Sequence, residues 1–506
     1  MSIKEQATKS VFWSAVERFS VQGIQFLLTI VIARILSPDD YGLVAMLGIF
    51  MALSQVLIDS GFANALIQKK NRSETDYSTV FYFNTVGSVL VYGFLFLCAP
   101  SIANFFDEPQ LKLITRVVGL NLIINSLGIV QQARLTIDLN FKRQAQASLI
   151  AVVISGGIGL WMAYNGWGVW TLVWQGLLNN LFRVLFLWIF SRWLPCGLFS
   201  FQSFRILFSF GAKLMLSSML HTVYTNCYSL IIGKVFSASE LGFFNRSYTL
   251  AQFPSTNFTN IMVRAVYPIQ CRYQDDMLQL RSIFMKYMRI SCYLIFPVMI
   301  SVTALAEPLV SLILTDKWLP AVPFLRILCI AFMWDPVMKI NHNILNVKGR
   351  TDYFLYAEII KKLVAFTILF VTIPFGVMIM CWGLVAYALA DLIIIIYFSR
   401  KITGIGYMRQ LKELSPVIML NTVLGLCMYW VSLFSVPLYM QIILPLIIGG
   451  GSYIIISCLF QMQEWKMLLS VIKRRGCVKT LAQPFSIIYS PVIFSFVYAA
   501  FFSFIW

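Results

Sequence analysis

Charge is scarce in this sequence. Charged residues make up 12% of 506 positions, about half the share of a soluble globular chain. Apolar residues make up 59%. Those proportions exclude an ordinary soluble enzyme and a disordered chain, and they point to a polytopic membrane protein. Histidine is scarcer still. His221 and His342 are the only two, too few for a histidine-based metal centre. The ten cysteines include no C-x-x-C pair and lie mostly in apolar stretches, as small packing residues rather than a disulfide framework or zinc site. G-x-S-x-G, P-loop, H-E-x-x-H and dinucleotide glycine motifs are missing from any supporting context. The longest polar interruption, Arg264 to Arg289, is too short for an independent soluble domain. The expectation is a protein without enzymatic activity, cofactor or metal.

What is there is a series of long apolar runs. About 20 apolar residues cross the hydrocarbon layer as a helix. That ruler places spans near 12–35, 41–66, 79–99, 113–133, 148–164, 168–190, 207–233, 241–263, 290–314, 320–345, 354–373, 377–398, 416–434 and 438–460. The expected fold is therefore all-α, with about fourteen transmembrane helices. The first run carries Glu17 and Arg18 and continues to Leu36 without a small-residue cleavage site, so it is expected to be retained as a span. The uncharged tail Pro484 to Trp506 is an extra spanning helix or an interfacial one.

Basic residues outnumber acidic ones by 39 to 21. With the N-terminus cytoplasmic, 28 of the cations fall on that side and six on the other. Such a bias is the positive-inside pattern, and it accounts for the net charge of +18 without nucleic acid. Five cations remain inside spans: Arg18, Arg183, Lys213, Arg326 and Lys339. A charge at mid-membrane costs roughly 3 kcal/mol or more, so it usually faces protein or a wet cavity.

The chain repeats with an offset of about 200 residues. Ile32-Ala33-Arg34 followed by Ser37-Pro38-Asp39-Asp40-Tyr41-Gly42 matches Ile232-Gly233-Lys234 followed by Ser237-Ala238-Ser239-Glu240-Leu241-Gly242. Six spans separate the copies, an even number, so both enter the membrane in the same orientation. The expected organisation is two parallel six-helix lobes, 1–200 and 201–404, then two helices over 405–465, then a basic segment and apolar tail over 466–506. Transporters commonly place substrate between such repeats.

Each lobe opens with a polar stripe. Arg18, Gln22, Gln25 and Thr29 share one helix face, and Ser218, Thr222, Thr225 and Ser229 repeat it 200 residues on. The stripes line a wet cavity or form interhelical hydrogen bonds. Further on, Asp335, Lys339 and His342 fall at i, i+4 and i+7 beside Pro336. That cluster is either a cation site at a broken helix or an internal ion pair that makes the charges tolerable. Glu17, Asp59, Glu358 and Asp391 are further intramembrane acids. With Asp335 they are the candidates for proton or sodium coupling. Asp39 and Asp40 form an acidic pair in an external loop, where some membrane glycosyltransferases hold a catalytic pair. The stronger reading is a helix start, with Ser37 as the cap, Pro38 in the first turn and both carboxylates at the positive helix end.

The loop motif Ala33-Arg34-Ile35-Leu36-Ser37-Pro38 with Tyr41-Gly42 resembles the A-R-x-L-x-P-x-x-[YF]-G signature of bacterial oligosaccharide flippases. Phe210-Gly211 with Lys213, then Ile232-Gly233-Lys234 with Leu241-Gly242 and Asn245-Arg246, resembles the start of that family's second half. The family is the Wzx-like polysaccharide transporters of the multidrug/oligosaccharidyl-lipid/polysaccharide exporter superfamily. The resemblance implies two six-helix lobes plus two C-terminal helices. It also implies transfer of an undecaprenyl-diphosphate-linked oligosaccharide across the bacterial inner membrane, for O-antigen, capsule or exopolysaccharide. Membrane lipids, a polysaccharide polymerase and chain-length proteins are the partners it implies, and a monomer suffices. The tail after Lys479 departs from the family pattern.

A diphosphate needs a cation in its cavity. Arg18 and Lys213 are the first candidates, followed by Lys339 and Arg183. Two other classes compete: a cation-coupled efflux antiporter of the same superfamily, and a membrane glycosyltransferase or polymerase. Efflux of organic cations calls for carboxylates rather than cations in the cavity. A polymerase calls for a large external loop, and the longest external stretch is Pro100 to Lys112.

Overall fold

A computed structural model describes residues 20–59, 62–69, 72–138, 140–197, 199–432, 434, 436–467 and 469. Every regular element among them is helical. In chain order they are α1 (Ser20–Ile35), α2 (Pro38–Met46), α3 (Gly48–Asp59), α4 (Phe62–Gln68), α5 (Glu74–Phe106), α6 (Leu111–Ile137), α7 (Phe141–Tyr164), α8 (Val169–Ser191), α9 (Phe201–Val235) and α10 (Ala238–Arg272). They continue as α11 (Met277–Ala304), α12 (Ala306–Leu314), a 3-10 turn over Asp316–Ala321, α13 (Val322–Phe332), α14 (Asp335–Val347), α15 (Thr351–Thr372), α16 (Val377–Thr403), α17 (Tyr407–Ser432) and α18 (Met440–Leu459).

Among the described residues, ten helical stretches are long and apolar enough to cross a membrane. The expected segments overlap helices among the described residues, with 41–66 divided among α2, α3 and α4 and 320–345 between α13 and α14. The expected spans at 12–35, 207–233, 241–263 and 354–373 coincide with α1, α9, α10 and α15, which are shorter or more polar than the ten. Residues 1–19 and the tail 484–506 lie outside the described residues.

The helix ends follow local chemistry. Ser37 caps α2 by accepting from the Asp40 N–H at 3.2 Å, while Asp40 accepts from the Ser37 N–H at 2.9 Å. This reciprocal box satisfies two orphan amides at the helix start. The helix-start reading of Ser37-Pro38-Asp39-Asp40 therefore holds. In the repeat copy, Ser237 accepts from the Glu240 N–H at 3.1 Å. Ser73 and Asp76 build a second reciprocal box at the start of α5. Helix α5 has 33 residues, about 50 Å at 1.5 Å per residue, longer than the ~30 Å hydrocarbon layer. Its Leu90, Phe94 and Leu97 lie at i, i+4 and i+7 and are exposed, as expected of a face turned to lipid.

Packing divides the chain into two compact units, Met1–Asn245 and Arg246–Trp506. In the first, Phe62, Leu66, Val80 and Val130 are buried together beneath α4, α5 and α6. The α8–α9 linker is fixed to the start of α5. Trp193 Nε1 donates to Glu74 at 2.6 Å, the Cys196 N–H to Ser78 at 2.9 Å and the Ser200 N–H to Thr79 at 3.0 Å.

Also within the first unit, the two copies of the repeat motif meet. A Cβ added at Gly42 would overlap the carbonyl oxygen of Ala238, and one added at Gly242 would overlap that of Pro38. Gly42 and Gly242 are repeat equivalents, as are Pro38 and Ala238. The approach is reciprocal, and both obstacles are backbone. Only glycine leaves room for such close helix contact.

In the second unit, α11, α14 and α17 enclose Phe284, Met288, Cys292, Phe296, Ile344 and Val417. Asn341 on α14 donates to Gln410 on α17 at 3.0 Å and accepts from Ser399 on α16 at 2.6 Å. Helix α18 is held by Tyr293 donating to Ser457 at 2.8 Å and Tyr453 donating to the Tyr293 carbonyl at 2.7 Å.

Candidate functional site

Among the described residues, the candidate acids and cations fall in two networks, one in each unit. The first joins α3, α6 and α8. Gln55 lies one turn before Asp59 on α3 and hydrogen-bonds its carboxylate, with Arg183 of α8 in electrostatic reach. Asn125 of α6 donates to Gln55 at 3.4 Å and accepts from Arg183 at 3.3 Å. Beside it, Asn180 donates to Asn121 at 2.8 Å. Two expected site residues, Asp59 and Arg183, are thus brought together as a carboxylate and a guanidinium bridged by amides. Asn121 and Asn125 stand at i and i+4, and Asn180 and Arg183 at i and i+3. These spacings are legible in the sequence, but Asn121, Asn125 and Asn180 are not among the sequence-predicted site residues.

The second network joins α10, α14, α15 and α16. Helix α13 ends at Phe332 and α14 begins at Asp335, so the expected break beside Pro336 is present. The freed Phe332 carbonyl accepts from Ser255 at 2.7 Å. Asp335 accepts from Thr256 at 3.0 Å and lies 3.4 Å from Lys339. Lys361 sits 2.8 Å from Asp391 and 3.3 Å from Glu358, and Glu358 lies 3.5 Å from His342. Asp335 is in electrostatic reach of Asp391. Three of the expected coupling acids, Asp335, Glu358 and Asp391, therefore share one cluster with Lys339.

Lys361, one of the 28 cations counted to the cytoplasmic side, falls within the expected span 354–373 and is buried in this cluster. It lies ten residues into α15 with its side chain only 8% exposed. Its ammonium stands between two carboxylates. A lysine this deep is tolerated because its partners offset the desolvation cost. Among the described residues, no group of three or more His, Cys, Asp or Glu could hold a metal ion.

Among the described residues, the stripe candidates take no part in these networks. Glu17 and Arg18 lie outside the described residues. Lys213 belongs to α9, and its side chain is outside the description. Gln25, Ser218 and Thr225 are exposed, and Gln22 and Thr222 are half-buried. The hydroxyls of Thr29 and Thr225 return to carbonyls of their own helices, Gln25 at 2.5 Å and His221 at 3.0 Å.

The sequence matches the family described as "Polysaccharide biosynthesis protein" over residues 31–323, more than half of the chain. It is 22% identical to the teichuronic acid biosynthesis protein TuaB of Bacillus subtilis (strain 168), over 90% of this chain and 95% of TuaB. It is 25% identical to the lipopolysaccharide biosynthesis protein WzxC of Escherichia coli (strain K12), over 71% of this chain and 74% of WzxC. Among solved structures, the lipid II flippase MurJ in its inward closed conformation superposes with a TM-score of 0.70 at 12% identity, covering 90% of this chain and 98% of MurJ. The membrane-crossing helices, the MurJ-like fold and the family match agree, and this chain belongs to the polysaccharide biosynthesis protein family as a multi-pass membrane protein.

Proposed function

We propose that the protein is a flippase that moves an undecaprenyl-diphosphate-linked oligosaccharide from the cytoplasmic to the outer leaflet of the bacterial inner membrane. The proposed architecture is fourteen spans with a cytoplasmic N-terminus. Lobes 1–200 and 201–404 alternate access, and helices over 405–465 follow them. The observation that carries this reading is a MurJ-like fold in a chain of the polysaccharide biosynthesis family that pairs acidic and basic side chains within its helices. A bundle with a purely structural role gains little from buried charge, whereas a carrier of a diphosphate and a sugar head needs polar groups inside the membrane. Arg18 and Lys213, one from each lobe, are the proposed diphosphate ligands. Arg183 and Lys339 take a lesser part, because Asp59 and Asp335 stand beside them. Asp335, Glu358 and Asp391 are the proposed coupling acids, released or engaged as Lys361 changes partner. The stripe residues Gln22, Gln25, Ser218, Thr222 and Thr225 would wet the path of the sugar head. The repeat-unit polymerase and chain-length proteins are the proposed downstream partners, and the transporter works as a monomer.

The test is a proteoliposome assay. Liposomes hold a labelled undecaprenyl-diphosphate oligosaccharide, and an added glycosidase reads how fast inner-leaflet glycan becomes accessible. Protein-dependent exposure that is slowed by Arg18→Ala and by Lys213→Ala is the expected result. Exposure unchanged by either substitution removes those two residues from the site. No exposure under imposed proton and sodium gradients overturns the flippase reading.

A further inference from the structure

We propose that a basic cavity at the start of α11 and α17 binds the phosphate of an anionic membrane lipid. The cavity measures about 680 Å³. It lies wholly within the second unit and apart from the Lys361 cluster. The proposal does not depend on what cargo the protein carries.

Six ionisable side chains line it: Arg281, Lys286, Arg289, Arg409, Glu413 and Glu464. Arg289 forms the floor, held 2.5 Å from Glu464 and 2.9 Å from Glu413. That ion triad uses both carboxylates and one cation, leaving a local charge of −1. Arg281, Lys286 and Arg409 supply three further cations, so the cavity carries a net +2. No carboxylate among the described residues pairs with Arg281 or Arg409. Arg281 Nε is also buried without a hydrogen-bond partner. Its guanidinium packs against Gly404, the left-handed C-cap of α16, where an added Cβ would come within 2.8 Å of Nη2. A larger residue there would push the guanidinium away. A half-buried guanidinium with an orphaned donor is prepared for an anion, and phosphate oxygens match its planar fork.

The rest of the lining fits a lipid rather than a soluble anion. Met285, Ile290 and Ile405 give the cavity an apolar wall, suited to the glycerol and first methylenes of an acyl chain. Arg281 to Arg289 occupy the first turns of α11, and Arg409 the first turn of α17. This end of both helices is the one the positive-inside bias assigns to the cytoplasm, at headgroup depth. Basic pockets between helices at that depth hold anionic headgroups.

The test uses the purified full chain in phosphatidylcholine mixed micelles with one of three labelled probes: cardiolipin, a polyprenyl diphosphate or inorganic diphosphate. The readout is label retained per protein after size exclusion. Arg281→Gln with Arg409→Gln removes two unpaired cations and leaves the Arg289 triad intact. Arg192→Gln with Arg205→Gln removes two exposed cations near the α8–α9 linker as a control. We expect the native chain and the control to retain a lipid probe alike, and the cavity variant to bind it about thirtyfold more weakly. Retention of cardiolipin alone identifies bulk phospholipid as the source, and retention of polyprenyl diphosphate alone identifies the lipid-linked sugar carrier. Full displacement of either lipid by millimolar inorganic diphosphate shows that the phosphate alone carries recognition. Equal retention by the native chain and the cavity variant, or an equal loss in the control, overturns the proposal. If the double variant does not fold, Arg409→Gln alone serves, because Arg409 is exposed and its loss leaves packing intact.

Discussion

Lys361 holds two carboxylates on one ammonium, with its side chain 8% exposed and that of Asp391 12% exposed. Removing one member of a buried ion pair strands the other in low dielectric. Lys361→Met is therefore expected to lower stability by about 3 kcal/mol, read as a lower unfolding midpoint in detergent. Adding Asp391→Asn to that variant should restore more than half of the loss, because the stranded charge is gone. A double variant as unstable as the single one would show that the pair is not what matters there. Asp59 and Arg183 present a milder case, since Gln55 and Asn125 share their hydrogen bonds. Arg183→Gln keeps a donor for Asn125 and should cost less than Lys361→Met in the same measurement. Asp59, Asp335 and Asp391 could be picked from the sequence as acids in apolar runs. Lys361 could not be paired from the sequence, because its partner Asp391 lies on another helix 30 residues away.

At the scale of elements, glycines separate into two kinds. Gly42 and Gly242 face carbonyl oxygens across a helix contact, and backbone cannot yield as a side chain can. Gly42→Ala should push α2 and α10 apart and destabilise the fold by about 2 kcal/mol, the range for overpacking. Gly242→Ala should match it, because the contact is reciprocal. Gly93, in the middle of α5, has nothing within 4 Å of an added Cβ. Gly93→Ala should be neutral or stabilising by up to about 1 kcal/mol, the helix propensity difference. Thermal unfolding of the three variants side by side distinguishes crowded glycines from open ones. The sequence repeat exposed Gly42 and Gly242 as equivalent positions. It gave no sign that the two motifs touch, because similarity at a distance of 200 residues says nothing about proximity.

For the whole molecule, orientation is the property to test. Cys196 is exposed in the α8–α9 linker, next to Arg192 and on the side that the positive-inside bias assigns to the cytoplasm. In a variant that keeps only this cysteine, a membrane-impermeant maleimide should label inside-out vesicles and spare right-side-out ones until detergent is added. Labelling of right-side-out vesicles would invert the topology and move the Arg281–Arg409 cavity to the outer face.

Membrane class, helical segments and family likeness were determined by the sequence alone. Hydrocarbon selects composition over each run of about 20 residues, so those properties are written locally, in apolar length and in loop motifs such as Ser37-Pro38 with Tyr41-Gly42. The start of α2 was legible for the same reason, since a cap and its partner lie three residues apart. Only the tertiary structure decided which charges meet. The Lys361–Asp391 pair spans two helices, Arg289 reaches carboxylates 124 and 175 residues away, and Gly42 meets Ala238. Helical spacing reports which residues share a face. Which face meets which neighbour follows from close packing among many helices, and a single helix does not encode it.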